Sequence, residues 1–236
     1  MIPAEVADKS RRLLPETGSV LLGALPDRAR NRILGSGFEI DLPRGGMLYR
    51  EGGAPRCALV RSGLIRVYMR SAEGRQVTVR YARPGDLLGI ATAVVGPVPV
   101  GAQALIDSTL LAFDAALLAE EARRDGQIAW AVAQELGRRL SESLQQLAVN
   151  AFGSVRERVA RHLLDAAVPG KQEHPVAAIT QQDLADAVGS AREVVARVLR
   201  DLRNGGVVRT RPGGVVLLAP VALAAIASGE PASGPA

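Results

Sequence analysis

The sequence predicts an α+β chain: a small antiparallel β-roll of jelly-roll type, one long helix, then a winged helix-turn-helix. Three observations predict it. Between Phe38 and Asp114, short Val, Ile, Leu and Tyr runs alternate with glycine-bearing turns. From Gln127 to Val149 there is no proline, and apolar residues recur at helical spacing. From Thr180 to Leu202, two short capped helices flank a glycine. The expected divisions are 1–118 for the β-roll with its N-terminal helices, 119–152 for the long helix and hinge, 153–228 for the winged unit and 229–236 for a disordered tail.

Residues 1–36 are expected to be helical and loosely amphipathic, with Leu21, Leu22, Leu25, Ile33 and Leu34 as packing residues. The segments FEIDLPRGGMLYREGG, CALVRSGLIRVYMR, SAEGRQVTVRYARPGDLLG and AQALIDSTLLAFD supply the strands. Alternation in LIRVYMR and VTVRY around Ala72-Glu73-Gly74 predicts a hairpin. In the long helix, Trp130, Val132, Leu136, Leu140, Leu144, Leu147 and Ala151 form the stripe. Leu136, Leu140, Leu144 and Leu147 are the expected seam against a second copy of the chain. Arg138 and Arg139, beside Glu135 and Glu142, are expected on a solvated face with pair contacts worth roughly tenths of a kcal/mol.

Phe152-Gly153-Ser154 interrupts the pattern, with Gly153 as hinge and Ser154 as cap of the next helix. Arg156, Arg158, Arg161 and His162 are expected at the surface of that helix, which Pro169-Gly170 ends before PVAAIT forms a short strand. Thr180, with Asp183, caps the first helix of the pair, and Ser190, with Glu193, caps the second. Gly189 turns the chain between them, and small Ala185 lies where the helices meet. Leu184, Val188, Val195, Val198, Leu199 and Leu202 form the buried side, leaving Arg192, Glu193, Arg197 and Arg200 outward. An arginine fork matches guanine O6 and N7, and a carboxylate accepts from cytosine N4, so this face suits a major groove. After Asn204-Gly205-Gly206, VVRTR and VVLLA flank Pro212-Gly213-Gly214 as a wing, with Arg209 and Arg211 near its tip; PVALAAIA is a last short helix.

Composition bounds the function. The 236 residues are 47% hydrophobic and 22% charged, with net charge +5, a balance that permits an anionic partner. The single Cys57 excludes an internal disulfide framework and a four-thiolate cluster within one chain. No apolar run reaches the ~18 residues of a membrane span, and no secretory pattern opens the chain, so a cytoplasmic protein is expected. No catalytic residue is assigned: the sequence has no Ser–His–acid pattern, metal-ligand spacing or phosphate loop with lysine, and His162 and His174 are isolated.

REGG at 50–53, RSGLIRVY at 61–68, EGRQVTVRYARPGDLLG at 73–89 and the 180–202 motif, in that order, resemble the CRP/FNR transcription regulators over residues 20–227. The resemblance implies a cyclic-nucleotide-binding-type β-roll, a dimer helix and a DNA-binding winged unit. Arg192, Glu193 and Arg197 match the base-reading trio of the catabolite-activator branch, which implies a homodimer on a palindromic operator with G·C in each half-site. Thr180, Gln181 and Ser190 would hold the backbone, with Arg209 and Arg211 at phosphates; Ala191 and Val194 replace the family's phosphate-binding serine and threonine. RNA polymerase is an expected further partner.

The same resemblance places an effector pocket at Arg80, Gly89, Ile90, Val100, Gly101, Ala102, Arg139, Ser143 and Leu144. Ile90 stands where the family has a glutamate for the ribose, and Val100 where it has an arginine for the cyclic phosphate. That exchange argues against cAMP held in the family's manner, because a buried phosphate without a partner costs several kcal/mol or more. Arg80 could partly restore the charge, or point to solvent while Ile90, Val94, Val95 and Val100 fill the space. No N-terminal cysteine cluster for iron–sulfur and no histidine in the β-roll for haem are present. Cys57 is expected to be a buried small hydrophobe, with a thiol switch as the other reading. A ligand-gated regulator, a constitutive DNA binder with the β-roll as scaffold, and a regulator sensing an atypical small molecule all remain open. So does a small-molecule-binding protein without DNA affinity.

Overall fold

The computed structural model describes residues 19–52, 56–72, 74, 76–170 and 174–229. Expectations for residues 1–18, for Glu73 at the hairpin tip and for 230–236 lie outside the described residues. The chain divides into two compact units: Ala82–Glu142 with the residues up to Val67, and Tyr68–Tyr81 with the residues from Ser143 onward.

In the first unit, helices α1 (Val20–Ala24) and α2 (Asp27–Gly35) precede the strands. Ser19 starts α1 by accepting from the Leu22 amide, and Leu21, Leu22, Leu25, Ile33 and Leu34 enter the core as their spacing requires. Strands β1 (Phe38–Leu42), β2 (Met47–Tyr49), β3 (Cys57–Ser62), β4 (Ile65–Arg70), β5 (Gln76–Ala82) and β6 (Leu87–Leu88) follow, the end of β4 and nearly all of β5 belonging to the second unit. Helix α3 (Ile90–Val95), strands β7 (Gly101–Ala104) and β8 (Ser108–Phe113), and helix α4 (Ala115–Arg124) complete the roll. The strands form two four-stranded sheets ordered β1-β8-β3-β6 and β2-β7-β4-β5. Strand β8 is central to the first: Phe38 faces Ala112 on one side and Cys57 faces Phe113 on the other, both antiparallel. That core is closed by the start of helix α5 (Gly126–Phe152), through Ile128, Ala131 and Val132.

Helix α5 has 27 residues, as its proline-free sequence requires, but the expected single stripe divides into two. Val132 is buried in its own unit and Leu136 packs against the same core. Leu140, Leu144 and Leu147 are left 61%, 56% and 62% exposed, with Trp130 67% exposed. Leu136 therefore serves the intrachain core rather than the outer seam. Spacing alone cannot separate two faces that both carry apolar residues, because the β-roll claims one of them. Exposed Trp130, Ala133, Gly137, Leu140, Leu144, Leu147 and Ala151 alternate steps of three and four, a heptad spacing along the outer face.

The second unit contains helix α6 (Val155–Asp165), strands β9 (Ala167–Val168) and β10 (Val176–Ala177), helices α7 (Gln181–Val188) and α8 (Arg192–Asn204), strands β11 (Val208–Arg211) and β12 (Gly214–Leu217), and helix α9 (Pro220–Ala227). The sheet order is β11-β12-β10-β9. Ser154 and Glu157 form a reciprocal capping box at the start of α6. The joint before it is braced: Arg158 Nη1 donates to the carbonyls of Asn150 and Gly153, each at 3.1 Å. His162 is not at the surface but buried, with Nδ1 3.1 Å from the Tyr81 hydroxyl, an aromatic partner distant in sequence that helical periodicity cannot reveal.

Candidate nucleic-acid interface and effector pocket

The helix pair follows its sequence with one shift. The Thr180 hydroxyl accepts from the Asp183 amide at 3.1 Å and donates to the Asp183 carboxylate at 2.6 Å, starting α7. Gly189 ends α7 at φ +62°, a left-handed conformation in which a side chain is strained. The Ser190 amide then donates to the Ala185 carbonyl at 3.0 Å, so Ser190 closes the first helix rather than capping the second. Ala191 takes the cap position of α8 and offers no side-chain acceptor. The six-residue bonding pattern around Gly189 is a helix-end motif that engages the Ser190 amide, and α8 starts one residue later than the sequence suggests.

Val195, Leu199 and Leu202 of α8 are buried against Leu184, Ala185 and Val188 of α7, as expected, with Val198 only half-buried. The buried seam fixes the azimuth of α8, and Arg192, Glu193, Arg197 and Arg200 stand exposed on its other side. The wing forms through Arg211 opposite Gly214 and Val208 opposite Leu217, leaving Arg209 and Arg211 exposed. Thr180, Gln181, Arg192 and Arg211 come together around one hollow of about 390 Å³. Gln182 and Thr210 also line it and were missed by sequence reasoning, since only the fold brings the wing to the start of α7. The hollow has two guanidinium-bearing residues, hydroxyls and amides and no carboxylate among its lining residues, a chemistry suited to a phosphate oxygen. Arg197, Arg200 and Glu193 stand outside it.

In the first unit, Gly89 begins α3 at φ +75°, and a Cβ there would lie 2.0 Å from the Arg56 carbonyl oxygen. Ile90 is buried, Gly101 and Ala102 are buried, and Val100 is half-buried. Ile90 opens α3 and packs into the core of the roll, and Val100 lies just before β7. In the second unit, Arg80 is half-buried on β5, Ser143 is half-buried and Leu144 is exposed.

Arg139 is bound into a cluster of carboxylates. Its Nη2 lies 2.7 Å from Asp86 Oδ1, its Nε 2.9 Å from Glu135 Oε1 and its Nη1 3.0 Å from Glu142 Oε2. Burial lowers the guanidinium pKa, but the Asp86 hydrogen bond and the surrounding carboxylates outweigh it and hold the pKa above the ordinary guanidinium value. Asp86 is itself fixed: its other oxygen accepts from the Arg83 amide at 2.9 Å, and its carbonyl accepts from Val60 at 3.0 Å. The Glu135 side chain is only 4% exposed and also accepts from Arg138 at 2.7 Å. The expected solvated charge face is therefore a partly buried network. The reason is Asp86, which arrives from the turn before β6 and is invisible to i,i+4 reasoning.

Cys57 is fully buried, and its Sγ donates to the Gly89 carbonyl at 3.4 Å. Burial, then repulsion from Asp114, pushes its thiol up to about 12, so it stays protonated and is a packing residue rather than a reactive thiolate.

A model of the Crp-like helix-turn-helix domain matches residues 157–226, and one of the cyclic nucleotide-binding domain matches residues 39–125. The cyclic AMP receptor protein of Thermus thermophilus is 33% identical over 79% of this chain and 87% of its own length. A CRP-like cAMP-activated global transcriptional regulator of Mycobacterium tuberculosis is 28% identical over 75% of this chain and 83% of its own. Among solved structures, a CRP/FNR-family transcriptional regulator, also from Thermus thermophilus, superposes with TM-score 0.66 at 26% identity, over 81% of this chain and 98% of that one. FixK2 from Bradyrhizobium japonicum shares the fold at TM-score 0.68 and 23% identity, over 84% and 99%.

Proposed function

We propose the function from one premise, that this chain belongs to the CRP/FNR family of transcription regulators. The protein acts as a homodimer that reads a palindromic operator through two copies of α8. The observation that carries this is the exposed set Arg192, Glu193 and Arg197 on a helix whose opposite side is locked by Val195, Leu199 and Leu202. The hollow receives a backbone phosphate at Thr180, Gln181 and Arg211, while Arg192, which shares its lining, serves base reading, and Arg200 and Arg209 are further exposed cations for the DNA backbone. Because the Thr180 hydroxyl is engaged with Asp183, the phosphate is held by the wing, Gln181 and the open amides at the start of α7. Ser190, whose amide closes α7, keeps its hydroxyl available for the same task. Two α5 helices pair along Leu140, Leu144 and Leu147, extended by Trp130, Ala133 and Gly137.

The β-roll does not hold cAMP in the family's manner, because Ile90 and Val100 supply neither the acceptor nor the cation. Arg139 is already matched by three carboxylates, so a ligand engaging it must displace one of them. This favours a regulator competent without cAMP, or one answering a different small molecule, acting on RNA polymerase in the cytoplasm. The test is selection of duplexes from a random pool by purified full-length protein, followed by gel shifts with and without cAMP. Recovery of a two-fold-symmetric site bound equally in both conditions supports the reading. Failure to enrich any duplex overturns the DNA-binding function, and an absolute need for cAMP overturns the pocket reading. In the same assay Arg192→Ala costs about 1–3 kcal/mol and relaxes choice at one base pair.

A further inference from the structure

We infer that Val194 reads the C5-methyl group of a thymine, an inference that rests on the DNA-reading function proposed above. Val194 lies in the first turn of α8, directly after Glu193, and is 38% exposed. It is the one large apolar side chain of α8 on the solvent side; Val195, Leu199 and Leu202 are at most 1% exposed. Nothing local favours it there. A β-branched residue lowers helix propensity, and exposing its methyl groups to water forfeits their burial. A shape-determining role in the core is excluded by its position, since the core side of α8 is filled by the residues just named.

What Val194 offers instead is a stiff apolar knob beside the polar readers. In a helix the valine side chain keeps one χ1 rotamer, so its two methyl groups are presented at a fixed place with little entropy to lose on contact. Val194 and Arg197 are three residues apart, hence neighbours on the helix surface and ~4.5 Å apart along its axis. Surface neighbours so close reach adjoining base edges, so Val194 meets a pair next to the one read by Arg197. The major-groove feature that an aliphatic group can recognise is the thymine methyl, which no other standard base carries. A phosphate oxygen would gain nothing from Val194, and Ala191 beside it has no hydroxyl either, so this edge of the helix is apolar where it enters the groove. The half-site therefore contains an A·T pair adjoining the G·C pair read by arginine.

Deoxyuridine scanning of the selected operator tests this, because it removes the methyl and leaves every hydrogen-bonding group of the base. At one thymine per half-site the replacement weakens wild-type binding about fourfold, the ~0.8 kcal/mol of one buried methyl-sized group. Val194→Ala protein shows no loss from the same replacement, whereas Arg192→Ala protein keeps it. The inference is overturned if no thymine distinguishes wild type from Val194→Ala while both bind the operator. It is equally overturned if Val194→Ala weakens all sequences alike, the mark of a sugar–phosphate contact. If the wild type enriches no duplex at all, the underlying DNA-reading function falls, and this inference with it.

Discussion

Replacing Arg139 with methionine removes the side chain that joins Asp86, Glu135 and Glu142. The cost follows from where each carboxylate is left. Asp86 and Glu142 are 24% and 40% exposed at their side chains and recover water, so their loss is worth about 0–1 kcal/mol each. Glu135 is 4% exposed and keeps only Arg138, itself 41% exposed. Stranding a buried carboxylate outright costs about 3–5 kcal/mol, and the remaining Arg138 contact offsets part of it. A net destabilisation of about 2–3 kcal/mol is expected, a Tm fall of roughly 4–12 °C for a chain of this size. Adding Glu135→Gln to Arg139→Met removes the stranded charge and restores part of the loss. Thermal and urea unfolding of wild type, both single variants and the double variant give the coupling energy, expected at about 1.5–3 kcal/mol. A single variant within about 0.5 kcal/mol of wild type, or a coupling near zero, would refute the claim that this network holds α5 to the β-roll.

Three further outcomes are expected. Cys57 resists alkylation in the folded protein at neutral pH; its folded pKa of about 12 stands above the reference 9.0, so the folded state retains a proton the unfolded chain gives up. Stability is then unaffected below pH 9 and falls by up to roughly 1.4 kcal/mol per pH unit from 9 toward 12, a slope that Cys57→Ala reduces when the two proteins are unfolded side by side. Gly89→Ala loses more than about 2 kcal/mol, from positive φ and a Cβ 2.0 Å from the Arg56 carbonyl oxygen, and circular dichroism melts report it. Leu144→Glu, at an exposed seam position, gives a folded monomer by analytical ultracentrifugation and lowers operator affinity, whereas the wild type sediments as a dimer.

The parts legible in the sequence are those governed by local rules. Ser154 with Glu157, Thr180 with Asp183, and Pro212-Gly213 before Gly214 each encode their own turn or cap within a few residues, and each forms as expected. The outward set on α8 was legible because the buried side of a single helix fixes the exposed one. Contacts between distant segments were not. Asp86 meeting Arg139 spans 53 positions, and Tyr81 meeting His162 spans 81, so neither leaves a periodic trace. Leu136 was misassigned for the same reason: whether an apolar position on α5 faces its own β-roll or the outside depends on the roll's placement. Ser190 failed differently, since two adjacent helix ends competed for one residue and the end of α7 prevailed.

The brace between α5 and α6 has a consequence for how such a protein can diversify. Arg158 ties two carbonyls across the bend, and Ser154 with Glu157 locks the chain on its far side. Flexural stiffness at this elbow is thus set by a handful of side chains that lie on neither the leucine seam nor the outward face of α8. Exchanging Arg158 for a shorter residue would slacken the elbow while leaving the exposed leucines of α5 and the outward face of α8 as they are. The stiffness of this joint can therefore drift without any change in those two surfaces.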